Sequence, residues 1–487
     1  MKKSTKLTIR AHLLRGAFYF LLLLAVCLIP FALAQRTTAK GNRPATTITV
    51  TNTNDSGPGS LRQALVDAND GDIIQFDLAL NGQTILLTSG ELVVSDSITI
   101  SGPGPSLLAV SRNSQSSNFR ILHIQPNHTV AISGLTISNG NLINVSGAGI
   151  FNDQSTVTIS NCVISGNAVY SPPTTQAGGG GICNNGVLSL INSTVTANSV
   201  TSTFAYGGGG IFNNGNLTIN QCSITNNTGQ RYGGGIAGGI AGSAVIQNST
   251  ISGNFTGGYD HFDGDGAGLS GNGFIIQNST ISNNSAIGGS FGGYGGAIYG
   301  GGIITNCTIS GNTTNHQAGG IYANSPVELT HTILNSGENI VNNGTTVTSH
   351  GYNISSDNGG GFLTAPGDQI NTDPLLGPLQ NNGGPTFTHE LLKGSPGIDT
   401  GDPKFTPPPY YDQRGPGYSR VRNDRIDVGS FEVQAGSGAT PTPTSTATPT
   451  PTPTASATAT ATSTPRPSPT SRPQLTPRPR PTPPPHP

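Results

Sequence analysis

NCVISGN (161–167), NSTVTAN (192–198), QCSITNN (221–227), NSTISGN (248–254), NSTISNN (278–284) and NCTISGN (306–312) are copies of one heptapeptide whose starts lie 27 to 31 residues apart. Self-similarity at that period marks a structural repeat, in which each copy is one unit that cannot bury its apolar face alone. In every copy the apolar residue at the fourth position (Ile164, Val195, Ile224, Ile251, Ile281, Ile309) falls two places after a small Cys or Ser. A period of two is that of a strand with one face turned to a core.

Working outward, a second short apolar strand precedes each copy: VTI (157–159), LSL (188–190), LTI (217–219), VI (245–246), FII (274–276) and II (303–304). A third opens each turn after a glycine run: GAGIFN (147–152), GGGICN (179–184), GGGIFN (208–213), GGGIAG (233–238), GAGLSG (266–271), GGAIYG (295–300) and AGGIYA (318–323). Three short strands joined by sharp corners, with no room for a helix between them, predict an all-β chain wound as a right-handed parallel β-helix. Glycine suits corners that need positive φ. The terminal Asn of each heptapeptide suits a left-handed corner too, and its amide can bond its counterpart one turn away. Asn167, Asn198, Asn227, Asn254, Asn284 and Asn312 are therefore expected to form an internal ladder.

Composition narrows the function. Only 9% of the 487 residues are charged, against roughly 25% in an average domain, and the formal net charge is −1. That balance gives no electrostatic reason for a nucleic-acid or anionic-membrane partner. Residues 1–34 read as an export signal: Lys2, Lys3, Lys6, Arg10 and Arg15 lead an apolar stretch over 17–29, and Ala32-Leu33-Ala34 supplies a cleavage site before Gln35. The mature chain is then secreted or carried on a bacterial surface, with no integral membrane span.

Cys27 leaves with the signal. Cys162 and Cys222 share one column with Ser193 between them, two strand spacings of about 4.8 Å apart and so beyond disulfide reach. Cys183, after the inward Ile182, is expected to point outward, and all four remaining cysteines are read as unpaired, most of them as small buried hydrophobes.

After a polar leader (35–46), residues 47–82 give a strand, a helix and a strand as an N-terminal cap. Ser60 with Gln63 forms a capping box there, and Leu61, Ala64, Leu65 and Ala68 make one apolar stripe that can plug the open end of a solenoid. The β-helix is assigned to 83–370, on the order of ten turns at the strand spacing. A Pro-, Asp- and Arg-containing segment, 371–433, reads as a C-terminal cap. Residues 434–487 are Thr-, Pro-, Ser- and Ala-rich and read as a disordered stalk.

These residues resemble exported bacterial β-helix proteins of the pectate-lyase-like superfamily. DSGPGSLRQALVDANDGDIIQF (55–76) resembles the N-terminal segment of the CSLREA-type group, with Gly59 where that signature carries Cys. The turns resemble chlamydial polymorphic outer membrane protein repeats, with GGAI at 295–298 and Ile in place of Phe in the F-x-x-N element at 251–254. TDPLLGPLQNNGGPT, SPGID, DQRG and DVGSFE within 372–432 are similar to the choice-of-anchor Q domain, which implies a surface protein. Enzymes of that superfamily are lyases with acidic calcium ligands and an Arg or Lys base, or hydrolases with clustered Asp.

Chemistry of either kind needs converging carboxylates, and between Asn141 and Thr330 the only charged residues are Asp153, Arg231, Asp260, Asp263, Asp265 and Glu328. The one concentration is YDHFDGDGAG (259–268), where Asp260, Asp263 and Asp265 are candidate ligands for a weak Ca2+ site although the EF-hand frame is missing. Asp and Arg in the C-terminal segment, among them Asp399, Asp412, Arg414, Arg420 and Asp427, read as a structural network closing the cap. His123, His316, His331 and His389 show no metal-ligand spacing and receive no role. The position after each inward opener residue runs Phe151, Cys183, Phe212, Ala237, Ser270, Tyr299, Tyr322. Tyr299 and Tyr322 should thus sit on adjacent turns with Tyr294 nearby, either stacking on sugar rings or a partner protein or packing as a self-supporting column. The expected function is noncatalytic adhesion or binding of extracellular glycans or neighbouring surface proteins. The alternative is a polysaccharide lyase or glycoside hydrolase.

Overall fold

The computed structural model describes residues 44–434 except 172–176, 203–206, 239–241, 258–263 and 291. The segment read as an export signal (1–34) and the Thr/Pro-rich stretch (435–487) therefore lie outside the described residues. One turn runs through Ile150–Asn152, Thr156–Ser160, Val163–Ser165 and Ala168–Ser171. The first two strands belong to a sheet of 19 strands, the third to a sheet of 11 and the fourth to a sheet of 7. Every pairing between turns in these sheets is parallel, as between Val163–Ser165 and Thr194–Thr196. The chain is a right-handed parallel β-helix. Eleven successive turns contribute to the second sheet.

The strand layout departs from the reading of the sequence at three points. The opener and second strand are two halves of one face, fused into single strands at Leu269–Gln277, Ile298–Thr305 and Ile321–Thr330. The third face is made by strands such as Ser199–Ser202 and Thr228–Gln230, whose polar, irregular composition hides them. The parallel ladder also begins already at Thr47–Val50, which pairs with Ile73–Phe76, which in turn pairs with Thr99–Ser101.

The core is the stack of heptapeptide apolar residues. Ile164, Val195, Ile224, Ile251, Ile281, Ile309 and Leu334 occupy one register file, and each is 0% exposed. Burying such side chains contributes roughly 1.5–3 kcal/mol each, and a slip by one residue would turn them all outward.

Asn167, Asn198, Asn227, Asn254, Asn284 and Asn312 form the expected ladder, with Nδ2 to Oδ1 distances of 2.9, 3.0, 3.0, 2.9 and 2.8 Å in order. The left-handed backbone lies elsewhere than expected. It falls on the residue before each ladder Asn (Gly166, Ala197, Asn226, Gly253, Asn283, Gly311) and on the first heptapeptide residue (Asn161, Asn192, Gln221, Asn248, Asn278, Asn306). The reason is that the ladder amide must face inward, so the reversal of the chain has to be completed one residue earlier. A second ladder joins Asn152, Asn184 and Asn213 at the ends of their openers, at 2.7 Å per step. It was visible in the sequence as the terminal Asn of IFN and ICN.

The cysteine column is also a polar spine. Cys162 N donates to Ser193 Oγ, Ser193 N to Cys222 Sγ and Cys222 N to Ser249 Oγ. The four cysteines among the described residues are free and buried. Cys183 does project from the outer face of the first sheet, yet it is 2% exposed because Phe212 and Ala237 pack around it. Burial pushes the thiols up, Cys162 to about 11 and Cys183, Cys222 and Cys307 to about 12. In the chain lacking residues 1–34, aromatic-disulfide titration at pH 8 is expected to find four thiols in denaturant and fewer than one reacting within an hour in the native protein.

The helix Leu61–Asp67 starts at Ser60, whose hydroxyl accepts from Gln63 N at 3.1 Å. Only that half of the capping box forms, because the Gln63 amide bonds Asp67 at 2.8 Å instead. Leu61, Ala64, Leu65 and Ala68 all join the main core, which Leu363 and the partly buried Phe362 enter at the other end.

Residues 371–433 add no further coil. Their one strand pair, Leu376–Gln380 with Thr388–Leu391, is antiparallel. The segment lies along the outer face of the second sheet and reads its hydroxyl rows. Thr250 Oγ1 donates to Phe387 O at 2.6 Å, Thr280 Oγ1 to Gln413 Oε1 at 2.6 Å, and Ser430 N to Thr308 Oγ1 at 3.1 Å. Among the described residues no helix is long and apolar enough to cross a membrane.

Candidate functional site

The outer face of the opener strands carries one continuous column, His123, Phe151, Cys183, Phe212, Ala237, Ser270, Tyr299, Tyr322, each in register with the next. Its middle is packed shut. Its two ends are chemically distinct.

At the C-terminal end Tyr299 and Tyr322 lie on adjacent turns, as expected, with ring centroids 5.5 Å apart and planes within 2° of parallel. That separation exceeds ring contact, so the rings are offset and part of each face stays uncovered. Tyr294 packs against Tyr322 at 4.8 Å and against the exposed His316 at 5.0 Å, and Tyr232 approaches Tyr299 at 6.4 Å. All of these tyrosines are half-buried. Burial, and then the Asp265 carboxylate, push the Tyr299 hydroxyl up to about 12, so it is a neutral donor at any physiological pH.

The loops before the openers stack as well, which explains why the tyrosines converge. Tyr232, Asp265, Tyr294 and Gln317 are linked by parallel bridges, turn upon turn. Asp265, read from the sequence as a loop ligand, is thus a 2% exposed member of this stack beneath the aromatic cluster. Asp260 and Asp263 lie outside the described residues.

At the N-terminal end the structure assembles groups that sequence reasoning left apart. Arg120 Nε lies 3.1 Å from Glu91 Oε2, His123 Nδ1 lies 3.3 Å from Glu91 Oε1, and His123 Nε2 lies 3.9 Å from Asp153 Oδ2. The Arg120 guanidinium covers the Phe151 ring at 4.7 Å. Burial lowers the Arg120 pKa, with Glu91, Cys183 and Asp153 opposing. Glu91 and Asp153 sit two turns apart, about 10 Å at the strand spacing, but the imidazole fills the gap in which a glycosidic oxygen and a water would have to sit. The signal was present in the spacing of Glu91, Arg120 and Asp153, but the heptapeptide does not extend to those turns, so their register could not be read.

A groove of about 470 Å³ opens between the second and third sheets near Leu86, Ser111, Arg112, Asn139 and Asn141. Arg112 is held there by the carbonyls of Asn139, Asn113 and Ser116. No carboxylate lines the groove, and Arg112 is the one ionisable side chain in its lining.

In the C-terminal segment Arg414 and Asp412 form the expected structural pair, with Arg414 Nη2 and Nε both donating to Asp412 Oδ2, at 2.6 and 3.0 Å. The other arginines bond mainly to backbone carbonyls, Arg420 to Asp427 and Gly429 and Arg425 to Thr400 and Gly401. His389 and His331, given no role, serve the docking of this segment. His389 bridges Gly377 O and Ser282 Oγ, and His331 Nε2 accepts from Asp402 N. Burial drives His331 down to about 4 and Glu432 up to about 9.

No protein-family model matches the chain, and no curated protein matches it. Among solved structures it is similar to the crystal structure of pectate lyase Pel9A, at 14% identity and a TM-score of 0.48, over 80% of this chain and 96% of that one. The likeness concerns the fold. It brings no activity or substrate to this chain.

Proposed function

We propose that this is a noncatalytic, exported β-helix protein, displayed on or released from a cell surface, that binds extracellular saccharides on the face built by Tyr294, Tyr299 and Tyr322. The observation that carries the reading is the offset, parallel pair Tyr299 and Tyr322 with Tyr294 alongside. Aromatic faces at strand spacing match the apolar faces of successive sugar rings, and fixed rings on a rigid sheet lose little entropy on binding. Asp265, the carboxylate that acts on the Tyr299 hydroxyl, is buried and not presented to a ligand. The resemblance of 371–433 to an anchor domain and the export signal support surface display.

Affinity electrophoresis in gels containing soluble polysaccharides tests this. The Tyr299→Ala/Tyr322→Ala double variant is expected to lose retardation, with affinity falling about tenfold or more and the circular dichroism spectrum unchanged. Retardation equal to that of the wild type removes the tyrosines from the function.

The second reading, a polysaccharide lyase or glycoside hydrolase, is favoured by the Glu91, Arg120, His123 and Asp153 constellation. It stands second because Arg120 is held between Glu91 and Phe151 and the carboxylates face the imidazole instead of an open gap.

A further inference from the structure

The C-terminal segment buries more negative charge than its own side chains neutralise. Asp427 and Glu432 are 1% and 0% exposed, and with the half-buried Asp399 they place one carboxylate oxygen each within 4.8 Å of one another. Arg420, 0% exposed, is the cation beside them, but its Nη2 is directed at the carbonyls of Asp427 and Gly429, at 3.1 and 2.6 Å. Arg414 is already matched by Asp412. Were all three ionised, three carboxylates against one guanidinium would leave a net charge of −2 in a largely buried region. An uncompensated buried carboxylate is among the most costly features a fold can carry.

The hydrogen bonds leave three buried polar atoms unmatched here, Nε and Nη1 of Arg420 and one oxygen of Glu432. Asp427 Oδ1 accepts from Asp399 N, Asp427 Oδ2 from Val433 N, and Glu432 Oε2 from Asp427 N, at 2.7, 2.7 and 2.8 Å. Glu432 Oε1, fully buried, has no hydrogen-bond partner among the described residues. A proton there would leave a net −1 and a hydroxyl with no acceptor. A doubly charged ion brings the group to neutrality and gives Oε1 a partner.

We propose that Asp399, Asp427 and Glu432 bind a divalent cation of the hard, oxygen-coordinated class to which Ca2+ belongs. Asp427 and Glu432 supply the buried ligands, and Asp399 supplies the ligand on the open side by which the ion enters. Backbone carbonyls and water complete such a shell, since Ca2+ takes six to eight oxygens. The ion ties Asp399 to the 427–432 stretch and so fastens the segment that covers the second sheet. The site is distinct from the tyrosine face and does not depend on it.

The test is calorimetric titration of the full chain, freed of metal with a chelator, with CaCl2, beside thermal denaturation in CaCl2 and in chelator. The wild type is expected to give saturable heat at one ion per chain and to melt higher with Ca2+. Both effects should vanish in Glu432→Gln, whose amide keeps the shape without the charge. They should vanish also in Asp399→Asn, which alters only the half-buried ligand and is therefore the variant expected to fold without difficulty. Asp263→Asn should keep both effects. No heat in the wild type, or heat that survives Asp399→Asn and Glu432→Gln but is lost in Asp263→Asn, overturns the proposal.

Discussion

Asn254→Leu is expected to lower the stability of the β-helix by about 3–6 kcal/mol, a larger loss than trimming a core Ile to Val should bring. Asn254 Nδ2 donates to Ile224 O and to Asn284 Oδ1, both at 2.9 Å, and its Oδ1 accepts from Asn227 N and Asn227 Nδ2, both at 3.0 Å. Leucine is of similar size, so no cavity results. What remains is a carbonyl, a backbone N–H and an amide N–H without partners in a place closed to water, at about 1–3 kcal/mol each. Because each turn is stabilised by its neighbours, the damage should spread along the stack. Urea denaturation measures the loss, and hydrogen exchange should show protection falling first at 224–227 and 281–284. A loss under about 1 kcal/mol would mean that the ladder is a by-product of the corner and not a source of stability.

Arg414→Met is expected to release the C-terminal segment and leave the coils intact. Asp412 is 0% exposed, and Arg414 is its only cationic partner among the described residues. The same guanidinium donates to Glu432 O at 2.5 Å and is sandwiched by Tyr418 and Phe431 at 3.9 and 3.7 Å. Removing it strands a buried carboxylate, at a cost of about 3–5 kcal/mol. That exceeds what a segment with a single strand pair can absorb. Limited proteolysis should then cut within 371–433 at a rate at least tenfold above wild type, while the fragment up to about 370 persists. Asp412→Leu added to Arg414→Met should restore part of the resistance, since the pair removed together leaves no stranded charge.

The coils were legible because their information is local and repeated. A heptapeptide returning every 27 to 31 residues fixes which residues point inward, and the ladders then follow from stacking like upon like. The adjacency of Tyr299 and Tyr322 was readable for the same reason. The Glu91, Arg120, His123 and Asp153 group was not, because its turns lack the heptapeptide and their register emerges only from pairings such as Leu122–Ile124 with Ile150–Asn152. The docking of 371–433 was equally hidden. Its contacts join residues as far as 163 positions apart, as in Thr250 with Gln413, and nothing periodic marks them. Asp265 looked like a loop residue because glycines surround it, yet the glycines are what allow the loops to stack closely enough to bury it.

The claim that this chain holds saccharide without cleaving it is tested most directly by one experiment on intact polysaccharides. Pectin, alginate and other polyuronides are incubated overnight with the protein, and its retardation in polymer-containing gels is recorded beside the absorbance of unsaturated products and the yield of reducing ends. The account predicts retardation by at least one polymer with neither product above the buffer control. Unsaturated sugar or new reducing ends that disappear on replacing Glu91 or His123 would contradict it and make the charged end of the column an active site.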